Sequence, residues 1–334
     1  MVSSMLTIAL LLQAAAHSPA VVPKSPGEIV TSAPASDWVD IAPNDLLVMQ
    51  LAPDRDGLST GSRPRRVVIQ LMPPPFSQTW IANIRTLAKA HWWDGTSINR
   101  VQDNYVVQWG DATEKKPLPA GMQATSERDY TSKLPSSWSA AALDAAANAL
   151  EAAADAAVND KPAAEYAPFS LPNPHDAYAA FAGVIQDFPF AGDNEQGWPV
   201  HCYGMVGVGR DMPPNAGNGT ELYTVIGHAP RHLDRNIALV GRVVEGIENL
   251  SSLPRGTGNL GFYEKPEQRV PIVSIRLASE LPEAERPRLQ YLSTESASFA
   301  AYANARANRR DAFFIVPAGG ADICNVPVPI RKKP

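Results

Sequence analysis

The amino-acid sequence predicts a mainly β fold, arranged as a closed antiparallel barrel. Glycine and proline separate short apolar runs along the chain, a pattern typical of all-β or α+β domains. The 31 prolines among 334 residues disfavour long uninterrupted helices. Closure into a barrel is expected because it leaves no strand edge exposed.

The N-terminal segment has the composition of a secretory signal. Residues 5–12 are mostly apolar, and the small residues 14–16 follow them, as at a cleavage site. The apolar run is too short to cross a bilayer as a mature helix. The basic start of a typical signal is missing, so a misassigned start or an apolar tail is the alternative interpretation. We expect a cleaved signal peptide at 1–16, a periplasmic or secreted protein, and no membrane span in the mature chain.

A β-hairpin is predicted at the start of the globular part. Residues 17–40 are predicted to be a linker, because this region is rich in proline, serine and alanine. The apolar runs 45–51 and 66–71 follow, and the polar turn 54–57 lies between them. Two such runs are typical of paired antiparallel strands.

A helix is predicted after the hairpin, because the prolines at 73–75 end the second strand. Ser77 is expected to cap this helix, which continues to about Ala90. Its apolar side chains recur on one face, as a helix packed on a core requires. These side chains belong to Trp80, Ile84, Leu87 and Ala88.

The most informative stretch is 92–111, which reads W-W-D-G-T-S-I-N-R-V-Q-D-N-Y-V-V-Q-W-G-D. It resembles the cyclophilin-type peptidyl-prolyl isomerases, whose strand pair reads Y-D-G-T-x-F-H-R-V-x-x-x-F-x-x-Q-G-G-D. The Asp-Gly-Thr, the Arg-Val, the Gln and the final Gly-Asp align without gaps. Residues 201–210, 217–226 and 232–247 are similar to later cyclophilin segments, and 270–277 would supply the last strand.

The resemblance implies a cyclophilin-like, eight-stranded barrel capped by helices, over residues 41–280. Residues 112–200 interrupt the family pattern and are predicted to be an insert with an Ala-rich helix at 139–158. This insert either binds a partner or gates substrate, or its helix simply packs against the outside of the barrel. Residues 281–334 are predicted to be a C-terminal extension.

The resemblance also implies peptidyl-prolyl cis-trans isomerase activity that assists the folding of exported proteins. Its substrates would be Pro-containing polypeptides, and the reaction needs no metal or other cofactor. Arg100 stands at the position of the catalytic arginine of the family. A guanidinium is permanently charged and has several directed donors, so it suits stabilisation of a twisted prolyl amide.

Eleven further positions match the substrate-binding pocket of the family. Several carry unusual residues, including Tyr223 in place of Phe and Glu221 in place of Gln. The carboxylate of Glu221 could divert Arg100 into an ion pair. These replacements motivate the alternative of a non-catalytic cyclophilin-like module that binds Pro-containing segments. The eleven are Tyr105, Val106, Gln108, Gly209, Arg210, Glu221, Leu222, Tyr223, His232, Leu233 and Ile237.

Other classes of function have weaker support in the sequence. The net charge is −5 and the basic residues are scattered, so no nucleic-acid partner is expected. Residues 256–261 match G-x-G-x-x-G, but they lie between Pro254 and Pro266 rather than joining a strand to a helix. The histidines show no zinc-binding spacing, so no metal site is expected.

Cys202 and Cys324 are the two cysteines of the chain. In an oxidising compartment they can form a disulfide. The alternative is two buried free thiols, because the sequence does not give the distance between them.

Overall fold

The computed structural model describes residues 23–53, 65–134, 176–193 and 195–334. The predicted signal peptide, the hairpin turn 54–57 and the insert helix 139–158 lie outside these residues. Within them, no helix is both long enough and apolar enough to cross a membrane.

Eight antiparallel strands close into a barrel, which confirms the predicted fold class. They are β2 (Leu46–Leu51), β3 (Arg65–Leu71), β4 (Ser97–Val101), β5 (Val106–Gly110), β10 (Met205–Val208), β11 (Leu222–Val225), β12 (Leu239–Glu245) and β13 (Val270–Leu277). Around the barrel the order is β10-β11-β5-β4-β13-β2-β3-β12, and β12 pairs with β10 to close it. The predicted hairpin is present as β2 and β3, and the predicted last strand is β13.

Strand β2 is buried on both faces. Leu47 and Met49 belong to the main core, whereas Leu46 and Val48 belong to a second apolar cluster that contains Leu289 of the C-terminal extension. Successive strand residues point to opposite faces, so the extension must cover the outside of the barrel here. The extension is therefore packed on the domain rather than separate from it.

Helix α2 (Gln78–Lys89) packs against the barrel with the predicted apolar face buried. Ser77 precedes it, but the prediction of a side-chain cap is wrong. Ser77 has φ 57° and its side chain makes no capping hydrogen bond. The buried Asn83 instead ties α2 to two loops, since its Nδ2 donates to the carbonyls of Gln123 and Asn218 at 3.0 and 3.1 Å.

Part of the predicted linker is structured. Helix α1 (Pro26–Ser32) begins with a capping box of Ser25 and Glu28, and it packs on α4 (Ala297–Ala307) of the extension. Strand β1 (Trp38–Asp40) pairs with β14 (Leu289–Leu292), which also pairs with β15 (Ile330–Lys332). Proline at the first turn of a helix is compatible with helix formation, so a Pro-rich composition did not exclude α1.

The two cysteines form a disulfide, Cys202–Cys324, with Cα atoms 5.0 Å apart. The alternative of two free thiols is therefore not what the structure contains. The bond joins the residues just before β10 to the C-terminal extension, across 122 positions of sequence. It is a second attachment of the extension, besides the apolar contacts on β2.

The insert contributes a four-stranded sheet that was not predicted from the sequence. Its strands are β6 (Ser132–Lys133), β7 (Phe181–Ile185), β8 (Phe188–Gly192) and β9 (Gln196–Pro199), in the order β6-β9-β8-β7. Gln186 and Asp187 form the β7–β8 turn, both with positive φ, which is the geometry of a type I′ hairpin. Two apolar runs around a two-residue polar turn were the available signal.

The β7–β8 turn docks on the barrel through a buried ion pair. Asp187 accepts from Arg242 of β12 at 2.8 Å and from Gln70 of β3 at 2.7 Å. Arg242 also lies over the Phe188 ring at 5.0 Å. The short helix α3 (Glu248–Ser251) follows β12.

Candidate active site

A groove of about 930 Å³ lies on the outside of the barrel and gathers most of the predicted site residues. Ten of the twelve line it: Arg100, Tyr105, Val106, Gln108, Gly209, Arg210, Glu221, Tyr223, Leu233 and Ile237. Leu222 and His232 do not. Leu222 is the first residue of β11, and it lies in the barrel core because its side chain alternates with those of Glu221 and Tyr223. His232 is exposed on a 3₁₀ turn outside the groove.

Strand register places the central residues in one row. Arg100 of β4 pairs with Gln108 of β5, Gln108 pairs with Tyr223 of β11, and Tyr223 pairs with Gly207 of β10. Directly opposed residues on neighbouring strands share a face of the sheet. A Cβ on Gly207 would come within 2.3 Å of the Tyr223 ring, so glycine here lets the ring lie over β10.

Arg100 is held by three hydrogen bonds. Its Nε donates to the Leu260 carbonyl at 2.7 Å, and its two terminal nitrogens donate to Gln108 Oε1 at 3.1 Å and to Gln102 Oε1. The rings of Tyr105 and Phe262 lie 5.6 and 5.4 Å from the guanidinium carbon. Partial burial lowers the pKa of Arg100, but an arginine remains charged.

These bonds leave part of the guanidinium for a ligand. An arginine side chain has five N–H groups. Counting only partners in the described part of the chain, three are in use. The geometry therefore presents an oriented cation with unused donors at the wall of a groove.

A loop that precedes β13 forms one wall of the groove beside Arg100. Leu260 and Phe262 line the groove from this loop. The G-x-G-x-x-G motif at 256–261 belongs to it and serves close packing: Gly256 N–H donates to the Val101 carbonyl at 2.9 Å, and a Cβ on Gly261 would lie 2.7 Å from the Gln102 Cα. The wall has no sequence signature beyond these glycines, and we did not predict its role.

Glu221 bonds to Gln108 rather than to Arg100. Gln108 Nε2 donates to the Glu221 carboxylate at 3.4 Å, while Gln108 Oε1 accepts from Arg100. The expectation that the carboxylate could divert the guanidinium is wrong, since the hydrogen bonds of Arg100 go to other described residues. The side chain of Glu221 lies over Gly110, where any Cβ would overlap it. Burial, and then the nearby Glu114 and Asp111, raise the pKa of Glu221 to about 7.

The floor of the groove is apolar. Val106, Tyr223 and Val225 form a small buried cluster, and Tyr105 and Ile237 pack against it. Leu233 completes the lining next to Ile237. Such a surface fits a proline ring, which has no donor and gains by leaving water.

The Tyr223 hydroxyl does not face the groove as a free polar group. It lies 2.9 Å from Nε2 of His201, and the Nδ1 of His201 lies 2.8 Å from the Asp234 carboxylate. A carboxylate only accepts, so Nδ1 carries the proton and Nε2 accepts from the tyrosine. Burial lowers the pKa of His201, which keeps the ring neutral.

A chain of buried charges continues behind His201. Arg231 Nε donates to Asp234 at 2.6 Å, and the two terminal nitrogens of Arg231 donate to both oxygens of Asp176 at 2.8 and 3.1 Å. None of these four residues, His201, Asp234, Arg231 and Asp176, was predicted as a site residue. The sequence gives little indication of these contacts. His201 and Asp234 are 33 positions apart, Arg231 and Asp176 are 55 positions apart, and each pair meets only in the fold.

Within the described residues, no group of three or more His, Cys, Asp or Glu side chains could hold a metal ion. What the groove offers is an oriented cation, an amide, a carboxyl group and an apolar floor. This set can bind a peptide and polarise an amide by hydrogen bonding.

Comparison with known proteins gives three findings. The family described as "Cyclophilin type peptidyl-prolyl cis-trans isomerase/CLD" matches residues 58–277. Over 75 residues the chain is 36% identical to peptidyl-prolyl cis-trans isomerase CYP23 of Arabidopsis thaliana, a match that covers 22% of this chain and only 32% of that relative. The crystal structure of cyclophilin AquaCyp293 from Hirschia baltica is similar in fold, with a TM-score of 0.59 at 19% identity over 88% of this chain and 92% of that one.

Proposed function

Because the chain belongs to the cyclophilin-type peptidyl-prolyl cis-trans isomerase family, we propose that it catalyses isomerisation of prolyl peptide bonds with Arg100 as the catalytic residue. The observation that carries the proposal is the row Arg100–Gln108–Tyr223 on three neighbouring strands. It brings a charged donor, an orienting amide and an apolar floor to one groove.

Prolyl isomerisation requires stabilisation of a twisted amide and involves no covalent step. Rotation about a prolyl bond has a barrier of about 18–20 kcal/mol, because amide resonance must be broken. In the twisted state the imide nitrogen has a localised lone pair that can accept a hydrogen bond. An unused N–H of Arg100 would donate to it, and this bond forms only in the twisted state, so it lowers the barrier rather than merely tightening binding.

One hydrogen bond is not sufficient for a large acceleration. A ~10⁵-fold effect needs about 7 kcal/mol, whereas a hydrogen bond to a charged group supplies a net ~1.5–3 kcal/mol. The remainder would come from the pocket. The floor formed by Val106, Tyr223 and Ile237 would hold the proline ring while the preceding carbonyl turns, and partial burial of Arg100 would strengthen its field.

We propose Pro-containing polypeptides as substrates and folding of exported proteins as the setting. The signal-like N-terminus supports export. The Cys202–Cys324 disulfide also supports it, because disulfides persist in oxidising compartments such as the periplasm or the extracellular space. Labelling of cysteines in cell fractions, together with the N-terminal sequence of the mature protein, would test this location.

The activity is tested with a proline peptide in a protease-coupled or NMR-exchange assay. The wild type should accelerate isomerisation, and Arg100→Ala should lose most of this acceleration. Full activity in Arg100→Ala would refute the mechanism.

The second candidate is a module that binds Pro-containing segments without turnover. Glu221 favours it above about pH 7, where the side chain is a carboxylate and cannot donate to a peptide carbonyl as an amide would. Binding without acceleration in the same NMR experiment, with exchange restored by Glu221→Gln, would establish this alternative.

A further inference from the structure

The floor of the groove is anchored at a distance from the substrate. The Tyr223 ring lies in the groove, and its hydroxyl reaches His201, which is fully buried and does not line the groove. The two rings are nearly parallel, with an interplanar angle of 12°. The position of the floor therefore depends on a residue that a substrate never touches.

His201 is itself fixed at two points by one carboxylate. Asp234 Oδ1 accepts both the backbone N–H of His201 at 3.0 Å and its ring Nδ1–H at 2.8 Å. Asp234 in turn accepts from Arg231 at 2.6 Å through its other oxygen. A buried polar group without its partner is costly, so these residues can move only together.

The last member of the chain of hydrogen bonds belongs to the insert. Arg231 forms a two-point pair with Asp176, which precedes β7, and it lies 4.9 Å over the ring of Tyr178. A paired guanidinium and carboxylate of this kind have a fixed mutual geometry. The insert thus contacts the same chain of hydrogen bonds that ends at the groove floor.

We propose that His201 is a positioning residue for the proline-binding floor, and that Asp176 couples the insert to that floor through Arg231 and Asp234. The insert then tunes substrate affinity from outside the groove. The kinetic part of this proposal rests on the proposed isomerase function, whereas the structural coupling does not.

The matched control is a second buried pair between the insert and the barrel, Asp187 with Arg242. It also joins an insert carboxylate to a barrel guanidinium at 2.8 Å. Neither residue lines the groove. Asp187→Asn and Asp176→Asn should therefore both lower thermal stability, but only Asp176→Asn should affect the groove.

The first measurement is NMR of the full chain, with ring signals of Tyr223 and methyl signals of Val106 as reporters. Asp176→Asn should shift both signals, and Asp187→Asn should leave them unchanged. Unchanged signals in Asp176→Asn would overturn the coupling, whether or not the protein is an isomerase.

The second measurement is the split between KM and kcat on a proline peptide. His201→Leu should raise KM about fivefold, a size typical of coupled neighbours, with a smaller change in kcat. His201→Gln should recover much of the loss, because its amide oxygen can still accept from Tyr223. In a Tyr223→Phe background the His201→Leu effect should vanish.

The outcomes separate the two proposals. A wild type without turnover refutes the proposed function, and the NMR result still decides the coupling. If the wild type shows turnover, and His201→Leu and Asp176→Asn both have the KM of the wild type, the positioning role is refuted. The proposed function then stands. If His201→Leu does not fold, Tyr223→Phe carries the comparison, because it removes the hydroxyl that reaches His201 and should raise KM in the same direction.

Discussion

Replacing Glu221 with glutamine removes a partly buried carboxyl charge while keeping the shape of the side chain. The structure gives the expected size of the effect on stability. Burial, with Glu114 and Asp111 nearby, raises the pKa of Glu221 from 4.5 to about 7. The folded-state pKa lies above the unfolded value, so the stabilisation is complete below about pH 4.5 and is lost as the pH rises to about 7.

The gap between the two values corresponds to ~3.5 kcal/mol at ~1.4 kcal/mol per pKa unit. Partial exposure of the side chain screens this, so we expect a gain of ~1–3 kcal/mol for Glu221→Gln above neutrality. Glutamine does not ionise and therefore avoids the loss. Near pH 4.5 both proteins carry a neutral side chain here, and the difference should almost disappear.

The assay is thermal unfolding of both proteins at about pH 5 and about pH 8. At ~2–4 °C per kcal/mol for a large single chain, the variant should melt ~2–12 °C higher than wild type at the higher pH. Glu283→Gln is the control, since Glu283 is an exposed carboxylate that does not line the groove, and its removal should change little. A variant that melts lower than wild type at about pH 8, or by a margin independent of pH, would refute the argument.

The same variant has a consequence for catalysis. The introduced glutamine can still accept from Gln108, which keeps Gln108 Oε1 directed at Arg100, and it adds an amide donor to the groove. One added neutral hydrogen bond is worth ~0.5–1.5 kcal/mol. We therefore expect kcat/KM to rise about two- to tenfold, and unchanged or lower activity would contradict this role for the carboxylate.

Three further predictions concern other parts of the molecule. Arg100→Ala should lower kcat/KM at least ~10-fold and change stability little, because Leu260 is exposed and water can replace the donor that its carbonyl loses; Arg100→Lys should keep the charge but not the activity. Intact mass after alkylation should show no modified thiol until reductant is added, and reduction of Cys202–Cys324 should lower stability by roughly 4–5 kcal/mol in the loop-entropy model. Asp187→Asn should destabilise in urea unfolding by less than the ~3–5 kcal/mol typical of a broken buried pair, because burial raises the pKa of Asp187 to about 6 and the amide has no charge to bury; a loss within or above that range would contradict this.

The barrel and the position of Arg100 could be predicted because short stretches of neighbouring residues determine both. Two apolar runs around a polar turn specify the β2–β3 hairpin, and proline and glycine mark where strands end. The segment 92–111 keeps its motif without gaps, so register follows once two strands pair. Side chains two apart share a face, which predicts that Gln108 lies beside Arg100 on the paired strands.

The same reasoning failed where a residue lines the groove only if its side chain is on the correct face of the sheet. Leu222 aligns with pocket residues of the family, but its neighbours in the chain face the groove and it therefore faces the core. His232 lies on a turn whose orientation no periodicity describes. The linker contains a capped helix because the apolar surface of α4 was available to cover it.

The sequence by itself determined the family fold, the catalytic candidate and the apolar floor. Only the tertiary structure decided what holds that floor in place. Tyr223, His201 and Asp234 come from three separate segments of the chain, and Asp176 of the insert joins them through Arg231. Such contacts leave no local signature, because each residue alone is an ordinary polar side chain whose partner is fixed by chain topology. The same holds for the disulfide, since only folding brings Cys202 and Cys324 within bonding distance.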